Sequence, residues 1–150
     1  MHLIIPKLWL GDVEDAHNTS MLRQHDIGAV MNCTKDESFC AYSMKQHRAR
    51  VSVDDDLTPK EIKNLGVELP GIVKWIDAQR KAKRNVFIHC VAGVQRSACC
   101  VAAYLMFKDR KLSVTEAINI VRSKRPIAFR PYANFRASLN TFKKHLDNNK

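Results

Sequence analysis

Cys90 and Arg96 are the residues whose types and spacing suggest chemistry, because five residues separate them and Gly93 lies in the middle. A strand ending before Cys90, a tight turn and a helix beginning near Arg96 would direct several backbone N–H groups at one point. Such a concavity, with the positive end of the helix dipole, binds a phosphate dianion and favours a thiolate at Cys90. The guanidinium of Arg96 can donate two hydrogen bonds to phosphate oxygens, and Ser97 can donate to the sulfur. The spacing therefore predicts nucleophilic attack on a phosphate ester.

The residues on either side predict the strand and the helix that this site needs. Residues 86–88 form a short, β-prone apolar run, which is typical of a buried strand. Residues 97–106 are predominantly apolar and predict a buried helix. The intervening loop and the start of the helix would present to a phosphate the residues Val91, Ala92, Gly93, Val94, Gln95 and Arg96.

Transfer of a phosphoryl group to cysteine also needs a proton donor for the leaving oxygen. Asp54, Asp55 and Asp56 follow a predicted strand over residues 50–53. The functional crevice of an open α/β sheet lies at that end of its strands. Neighbouring carboxylates raise each other's pKa, which helps one of them to remain protonated. The alternative is that the three aspartates only end the strand and cap the next helix.

His89 and Cys90, followed after five residues by Arg96 and Ser97, resemble the signature of cysteine-dependent protein phosphatases. The fuller string HCVAGVQRSACCVAAYLM is similar to the dual-specificity branch, which includes small poxvirus-type enzymes and the catalytic domains of MAP-kinase phosphatases. The resemblance implies hydrolysis of phosphotyrosine and phosphoserine/threonine in protein substrates through a phosphocysteine, with no metal or other cofactor. It also implies that His89 tunes the cysteine through hydrogen bonds, a role close to that of a buried structural histidine.

The resemblance also bears on the identity of the proton donor. The family places its acid after an apolar residue, a proline, a second apolar residue and a variable one. Residues 51–55 match this pattern, with Ser52 where the family has proline, and so imply that Asp55 is the general acid. The separation from Cys90 is longer than the family pattern, which keeps Asp56 as the alternative.

Composition and charge limit the number of domains, the compartment and the partners that the sequence allows. The 150 residues, 45% hydrophobic and 27% charged, predict one globular domain, 1–150. The sequence shows no signal peptide and no apolar run long enough for a membrane span. Its five irregularly spaced cysteines predict a reducing intracellular compartment, the cytoplasm or nucleus. The formal charge of +10 favours anionic partners, but the basic residues are dispersed without interleaved aromatics, so nucleic acid is a disfavoured partner.

The pattern of strands and helices predicts an α/β fold. The predicted strands are residues 3–10, divided at Pro6, then 29–33, 50–53 and 86–88, with a loop over 35–46. Besides 97–106, a short helix is predicted to end near 26, and a longer one at 59–83 opens at a capping box and breaks or kinks at Pro70. A further helix runs from the capping box at Ser113 to 124. The last predicted helix buries Phe135, Leu139, Phe142 and Leu146. We expect a central, mostly parallel sheet of about five short strands flanked by helices, the cysteine-phosphatase fold that the resemblance implies.

Three other functions fit the same motif. Phosphoinositide and RNA 5′-triphosphate are alternative substrates of the same chemistry, and a non-catalytic phosphoprotein-binding module is the third. Lipid-specific relatives carry lysines in the loop, whereas RNA-directed relatives carry a histidine within it and threonine after the arginine. This chain lacks these features. The presence of Cys90, Arg96, Ser97 and candidate acids argues against a module that only binds.

Several residues away from the motif receive structural interpretations. Cys33, Cys99 and Cys100 are predicted to pack in the core, with a disulfide partner for Cys90 as the alternative for the last two. Arg125 and Arg130 are predicted to be solvated, with a second anion site as the alternative. Tyr132 stands where the resembling family has an asparagine that contributes to the active-site loop.

Overall fold

A single sheet runs through the part of the chain that the computed structural model describes, residues 1–40 and 47–149. In chain order its strands are β1 (His2–Ile5), β2 (Leu8–Gly11), β3 (Ile27–Asn32), β4 (His47–Arg50) and β5 (Asn85–His89). Their order across the sheet is β1-β2-β5-β3-β4, with β1 antiparallel to β2 and the other pairs parallel. β5 therefore lies at the centre, and the loop after it emerges at the carboxyl edge of the sheet.

Helices cover both faces of this sheet. In the described residues they are α1 (Val13–Ala16), α2 (Thr19–Gln24), α3 (Pro59–Lys81), α4 (Arg96–Lys108), α5 (Val114–Lys124) and α6 (Arg136–Asn148). α4 packs against α3, α5, α6 and β5, and it is buried from Arg96 through Met106. A helix that is apolar on all sides belongs at the centre of a core. α4 thus organises the larger helical layer.

The alternation of side chains along β5 shows how the two layers are separated. Val86 and Ile88 belong to the large core beneath α4, whereas Phe87 belongs to a smaller core with Ala16 and Leu22 of α1 and α2. Successive side chains of a strand point to opposite faces of a sheet. The predicted α/β fold, with a mostly parallel five-stranded sheet flanked by helices, is confirmed.

Two predicted strands have different limits in the structure. β4 ends at Arg50, where the predicted strand over 50–53 begins, so that prediction is wrong in position. Val51 N still donates to Asn32 O of β3 at 2.9 Å, but Val53 N turns back to Val51 O at 3.0 Å. The chain therefore leaves the sheet before the three aspartates. β3 begins at 27 rather than 29, and residues 41–46 of the predicted loop lie outside the described residues.

Of the kink or break predicted at Pro70, the break does not occur, because α3 continues through this residue. A proline inside a helix removes one hydrogen bond and crowds the carbonyl four residues earlier, at a cost of about 3 kcal/mol. Buried apolar residues lie on both sides of it and pack in the core: Leu65, Leu69, Ile72, Val73 and Ile76. Their burial stabilises the helix across the proline, as tertiary packing commonly does.

Candidate active site

Residues 90–95, here named the Cys90 loop, connect the end of β5 to the start of α4. Each carbonyl oxygen of this loop accepts a hydrogen bond from the protein around it. The pairs are Cys90 O with His89 Nδ1 (3.1 Å), Val91 O with Val13 N (2.9 Å), Ala92 O with Arg125 Nη2 (3.1 Å), Gly93 O with Arg125 Nε (2.8 Å), Val94 O with Phe129 N (2.8 Å) and Gln95 O with Cys99 N (2.8 Å).

The amide groups of the same loop have the opposite environment. Among the described residues, no hydrogen-bond acceptor meets the N–H groups of residues 91–95. Because the carbonyls bond the surrounding protein, these N–H groups at the N-terminus of α4 remain available to a ligand. Such a nest of amides, together with the helix dipole, is an anion site.

Gly93 permits this sharp turn of the backbone. Its φ of +67° lies in the left-handed region, which residues with a side chain rarely adopt. A Cβ at this position would also collide with the carbonyl oxygen of Gly11, at the end of β2. Only glycine fits here without moving the loop.

Cys90 begins the loop, and its sulfur lies beside the first turn of α4. Cys90 is 2% exposed, and its Sγ is 3.1 Å from Oγ of the fully buried Ser97, in the first turn of α4. The Ser97 hydroxyl is therefore in position to donate to a thiolate. This proximity was predicted from the sequence.

Arg96 begins α4, and its side chain is 9% exposed. Its Nη1 donates to Val53 O at 3.0 Å, which anchors one side of the guanidinium. Its Nε is buried and, within the described residues, has no hydrogen-bond partner. A buried donor without an acceptor is costly unless a ligand satisfies it. The guanidinium thus keeps donor capacity for an anion in the cleft.

His89 precedes the cysteine and is 1% exposed. Burial lowers the pKa of its imidazole to about 4, so the ring is neutral at pH 7. Its Nδ1 donates to Cys90 O. The contact fixes the first carbonyl of the Cys90 loop, in keeping with a positioning role rather than proton transfer.

The three aspartates belong to residues 54–58, here named the acid segment, and two of them have other partners. Asp54 Oδ2 pairs with Lys35 Nζ at 3.2 Å. Asp56 Oδ1 accepts from Thr58 N (3.1 Å) and from Thr58 Oγ1 (2.9 Å). These hydrogen bonds from Thr58 lower the pKa of Asp56, so the expected mutual raising of the pKa does not occur at Asp56. A carboxyl group held ionised is a poor proton donor at neutral pH.

Asp55, by contrast, has no close partner. It is exposed, and its only hydrogen bond among the described residues is a long one from Asn134 Nδ2 (3.5 Å). Asn134 is itself tied to the Cys90 loop, since its backbone N donates to Gln95 Oε1 at 3.0 Å. Gln95 Nε2 also donates to Arg130 O (3.1 Å) and Tyr132 O (2.9 Å). Gln95 therefore fastens the Cys90 loop to the turn in which Tyr132 replaces the asparagine of the family.

Glu61 is a residue whose role the sequence did not reveal. The predicted capping box is only half formed, because Thr58 Oγ1 accepts from Glu61 N, but the Glu61 carboxylate does not return the bond. Instead, Glu61 Oε2 accepts from Asp54 N at 2.8 Å, and Oε1 pairs with Lys35 at 3.3 Å. The buried carboxylate thus holds the beginning of the acid segment against α3.

Arg125 is the clearest correction near the site. It is 3% exposed rather than solvated, and its Nε and Nη2 donate to the carbonyls of Gly93 and Ala92. Its Nη1 donates to His2 Nδ1 at 2.9 Å. It therefore lies on the convex side of the Cys90 loop and does not form a second anion site. Arg130, by contrast, is exposed as predicted.

A cleft of about 460 Å³ separates the Cys90 loop from the acid segment. Its described lining consists of Thr34, Lys35, Asp36, Glu37, Asp54, Asp55, Asp56, Val91 and Arg96. Residues 34–37 follow β3 at the carboxyl edge of the sheet, which is the signal that could have placed them in the site. Across residues 1–40 and 47–149, no group of three or more His, Cys, Asp or Glu residues could hold a metal ion.

A phosphatase that works through a phosphocysteine needs a cysteine sulfur close to amides that can bind phosphate. The geometry of the Cys90 loop is that of this class of enzyme. Residues 8–145 match the family model for the dual specificity phosphatase catalytic domain, and the chain belongs to this family. The resemblance inferred from the motif is confirmed.

Similar proteins agree with this assignment. The chain is 34% identical over 148 residues to dual specificity protein phosphatase 16 of Homo sapiens, covering 97% of this chain and 21% of that protein. It is 30% identical over 148 residues to dual specificity protein phosphatase 7 of Homo sapiens, covering 95% of this chain and 33% of that protein. The chain thus spans between a fifth and a third of the length of these relatives.

Solved structures share the fold. Human DUSP28 superposes with a TM-score of 0.82 at 23% identity, covering all of both chains. The human tyrosine phosphatase-like serine/threonine/tyrosine-interacting protein superposes with a TM-score of 0.82 at 22% identity, covering 97% of each chain. None of the helices in the described residues is long and apolar enough to cross a membrane.

Proposed function

We propose that this chain is a protein phosphatase that hydrolyses phosphotyrosine and phosphoserine/threonine through a phosphocysteine intermediate. The observation that carries the proposal is the position of Cys90 Sγ, 3.1 Å from Ser97 Oγ, in a loop whose carbonyls are all hydrogen-bonded while the amides of 91–95 have no acceptor among the described residues. Membership of the dual specificity phosphatase family supports it. Because the chain covers a minor part of its curated relatives, their substrates and partners are not transferred to it.

In the first step, the thiolate of Cys90 attacks phosphorus, and the bond from phosphorus to the substrate oxygen breaks. The amides of residues 91–95 and the guanidinium of Arg96 stabilise the charge on the three equatorial oxygens. Asp55 donates its proton to the departing alkoxide or phenoxide. The products of this step are the free alcohol or phenol and a phosphocysteine.

In the second step, the Asp55 carboxylate accepts a proton from water, and the water oxygen attacks phosphorus. The sulfur–phosphorus bond breaks, and inorganic phosphate and the Cys90 thiolate result. Ser97 stabilises this leaving thiolate by donating a hydrogen bond to it. His89, neutral and buried, holds the Cys90 carbonyl throughout. No step calls for a metal ion or another cofactor, because the chain supplies the nucleophile, the charge stabilisation and the acid.

The decisive experiment compares the wild type with Cys90→Ser on five substrates: an aryl phosphate, a phosphotyrosine peptide, a phosphothreonine peptide, RNA 5′-triphosphate and a phosphoinositide. We expect wild-type turnover of the aryl phosphate and both peptides, and no turnover by Cys90→Ser. The serine variant should still bind phosphate, because the amides and Arg96 remain. Turnover confined to the RNA or the lipid would overturn the protein-phosphatase proposal, and binding without any turnover would make the chain a binding module.

The setting of the enzyme is part of the same proposal. The described residues pack around one sheet, and we infer that they act as a single catalytic domain, 1–150. Cys33 and Cys100 lie with their sulfurs 3.8 Å apart in the core, as thiols rather than a disulfide. Such a pair and a catalytic thiolate both suit a reducing intracellular compartment.

A further inference from the structure

The charge of the cleft is opposite in sign to the charge of the chain. The full sequence carries a formal charge of +10. The described lining of the cleft nevertheless contains two cations, Lys35 and Arg96, and a larger number of carboxylates: Asp36, Glu37, Asp54, Asp55 and Asp56. A strongly basic protein thus presents a locally acidic rim beside its nucleophile.

Two of these carboxylates have side chains without a partner in the part of the chain that the structure describes. Asp54 forms an ion pair with Lys35, and Asp56 accepts hydrogen bonds from Thr58. Asp55 is the proposed acid. Asp36 is exposed and Glu37 is half-buried, and neither side chain has an ion pair or hydrogen bond to the described residues. Both lie on the turn after β3 and line the same cleft as Val91.

A separate observation points to an anion as the ligand of this cleft. Arg96 is nine-tenths buried and lines the cleft, and its Nε has no partner among the described residues. When the phosphoryl group of a substrate binds Arg96, the residues flanking the phosphorylated side chain must cross the rim. There they meet Asp36 and Glu37.

We propose that the enzyme selects phosphorylated segments that carry lysine or arginine next to the phosphorylated residue. This inference rests on the proposed phosphatase function and names the substrate class within it. A basic flanking residue gains an attractive contact with Asp36 or Glu37, whereas an acidic one is repelled. Exposed pairs of this kind change binding by about 1.5- to 5-fold each, and salt screens them. The same rim disfavours polyanions, including RNA 5′-triphosphate and phosphoinositides.

The test uses two phosphotyrosine peptides that differ only in their flanks, two arginines in one and two glutamates in the other. We expect kcat/KM to be about tenfold higher for the arginine peptide at low salt, with the difference shrinking severalfold near 0.5 M salt. The Asp36→Asn/Glu37→Gln double variant should lose most of this preference. Turnover of a small aryl phosphate by the same variant is the reference for this loss, because that substrate has no flanking residues.

Asp26→Asn is the matched control. Asp26 is exposed and lies just before β3, at the amino edge of the sheet and therefore opposite the cleft, and asparagine suits its φ of 50°. It changes the net charge in the same direction, and it should leave the preference intact. Equal kcat/KM values for the two peptides would overturn the inference, and so would a preference that survives the double variant.

The outcomes also separate this inference from the proposed function. If the aryl phosphate is not hydrolysed, the phosphatase proposal fails. Titration of the two peptides against Cys90→Ser then measures the flank preference without turnover. Equal affinities in that titration would overturn the inference independently.

Discussion

The Cys90 loop and the acid segment face each other across one cleft, but they are built in opposite ways. The two ends and the centre of the loop are buried, and each of its carbonyls accepts a hydrogen bond, four of them from residues distant in the sequence. The acid segment is largely exposed and is held by short local contacts such as those of Asp56 with Thr58. Charge stabilisation depends on donors that are already in place, whereas a general acid needs only to come within hydrogen-bond reach of the leaving oxygen. The difference in construction matches the difference in task.

The largest expected effect on kcat comes from removing the carboxyl group of Asp55 in the acid segment. Asp55→Asn should lower kcat by about 10²–10⁴-fold for a substrate with a poor leaving group, because the departing oxygen then lacks a proton donor. The effect should be smaller for an aryl phosphate with a good leaving group. Steady-state kinetics on the two substrates measures both values.

Asp56→Asn is the control for this assignment. Its amide oxygen can still accept from Thr58, so the acid segment keeps its shape and kcat should change little. If Asp56→Asn shows the leaving-group-dependent loss and Asp55→Asn does not, Asp56 is the acid.

A substitution that distorts the Cys90 loop should have the next largest effect on the kinetics. Gly93→Ala places a Cβ against Gly11 O at a positive φ and must displace the amides, which should lower kcat/KM by about 10²–10³-fold. Gly71→Ala on α3 is the control, since a Cβ there meets nothing within 4 Å. That variant should raise the free energy of unfolding by about 0.5–1 kcal/mol without changing kcat/KM. Near wild-type kinetics for Gly93→Ala would contradict the described geometry.

The pH dependence of the free energy of unfolding tests the burial of His89, which immediately precedes the Cys90 loop. Burial lowers the pKa of His89 from 6.5 to about 4, so between these values the unfolded chain binds a proton that the folded chain does not. The His89 contribution is complete above pH 6.5 and is lost as the pH falls towards 4, by up to about 3 kcal/mol. Urea unfolding at a series of pH values measures this loss.

His89→Asn provides the comparison for that measurement. Its amide keeps a hydrogen-bond donor near the position of Nδ1 but does not titrate. The acid-side slope should therefore be shallower in the variant. An identical slope in both proteins would show that other groups cause it.

The smallest expected effect concerns the outer support of the loop. Arg125→Lys retains the charge, but a single ammonium group does not reproduce the fork that reaches Ala92 O and Gly93 O. We expect the free energy of unfolding to fall by about 1–3 kcal/mol and kcat/KM to fall about tenfold. Arg130→Lys, at an exposed position, should change neither quantity.

The sequence predicted best what depends on neighbours in the chain. The strand and helix around Cys90, the division at Pro6 and the capping box at Ser113 all follow from local patterns, and the structure confirms them. The local contact of Asp56 with Thr58 belongs to the same class, because aspartate commonly bonds the backbone two residues ahead. That contact, read from the sequence, would have weakened the case for Asp56 as the acid.

The rest could not be predicted because the partners are distant in sequence. Arg125 resembles a solvated residue until the fold brings the Cys90 loop against it, 32 residues from Gly93. Glu61 fits a capping box, but Lys35, 26 residues away, and the backbone of Asp54 bind its carboxylate. Pro70 breaks a helix in isolation, but the packing of α3 in the core overrides this preference.

The burial of the first turn of α4 determines how phosphate binding is lost on heating. Arg96 and Ser97 belong to the most enclosed helix of the fold, so this part of the site cannot open as a separate, weakly held unit. Loss of phosphate binding at Arg96 and melting of the hydrophobic interior should then coincide in one transition. A warmed sample would contain molecules with an intact first turn of α4 and unfolded ones, without a compact form that has lost this turn alone.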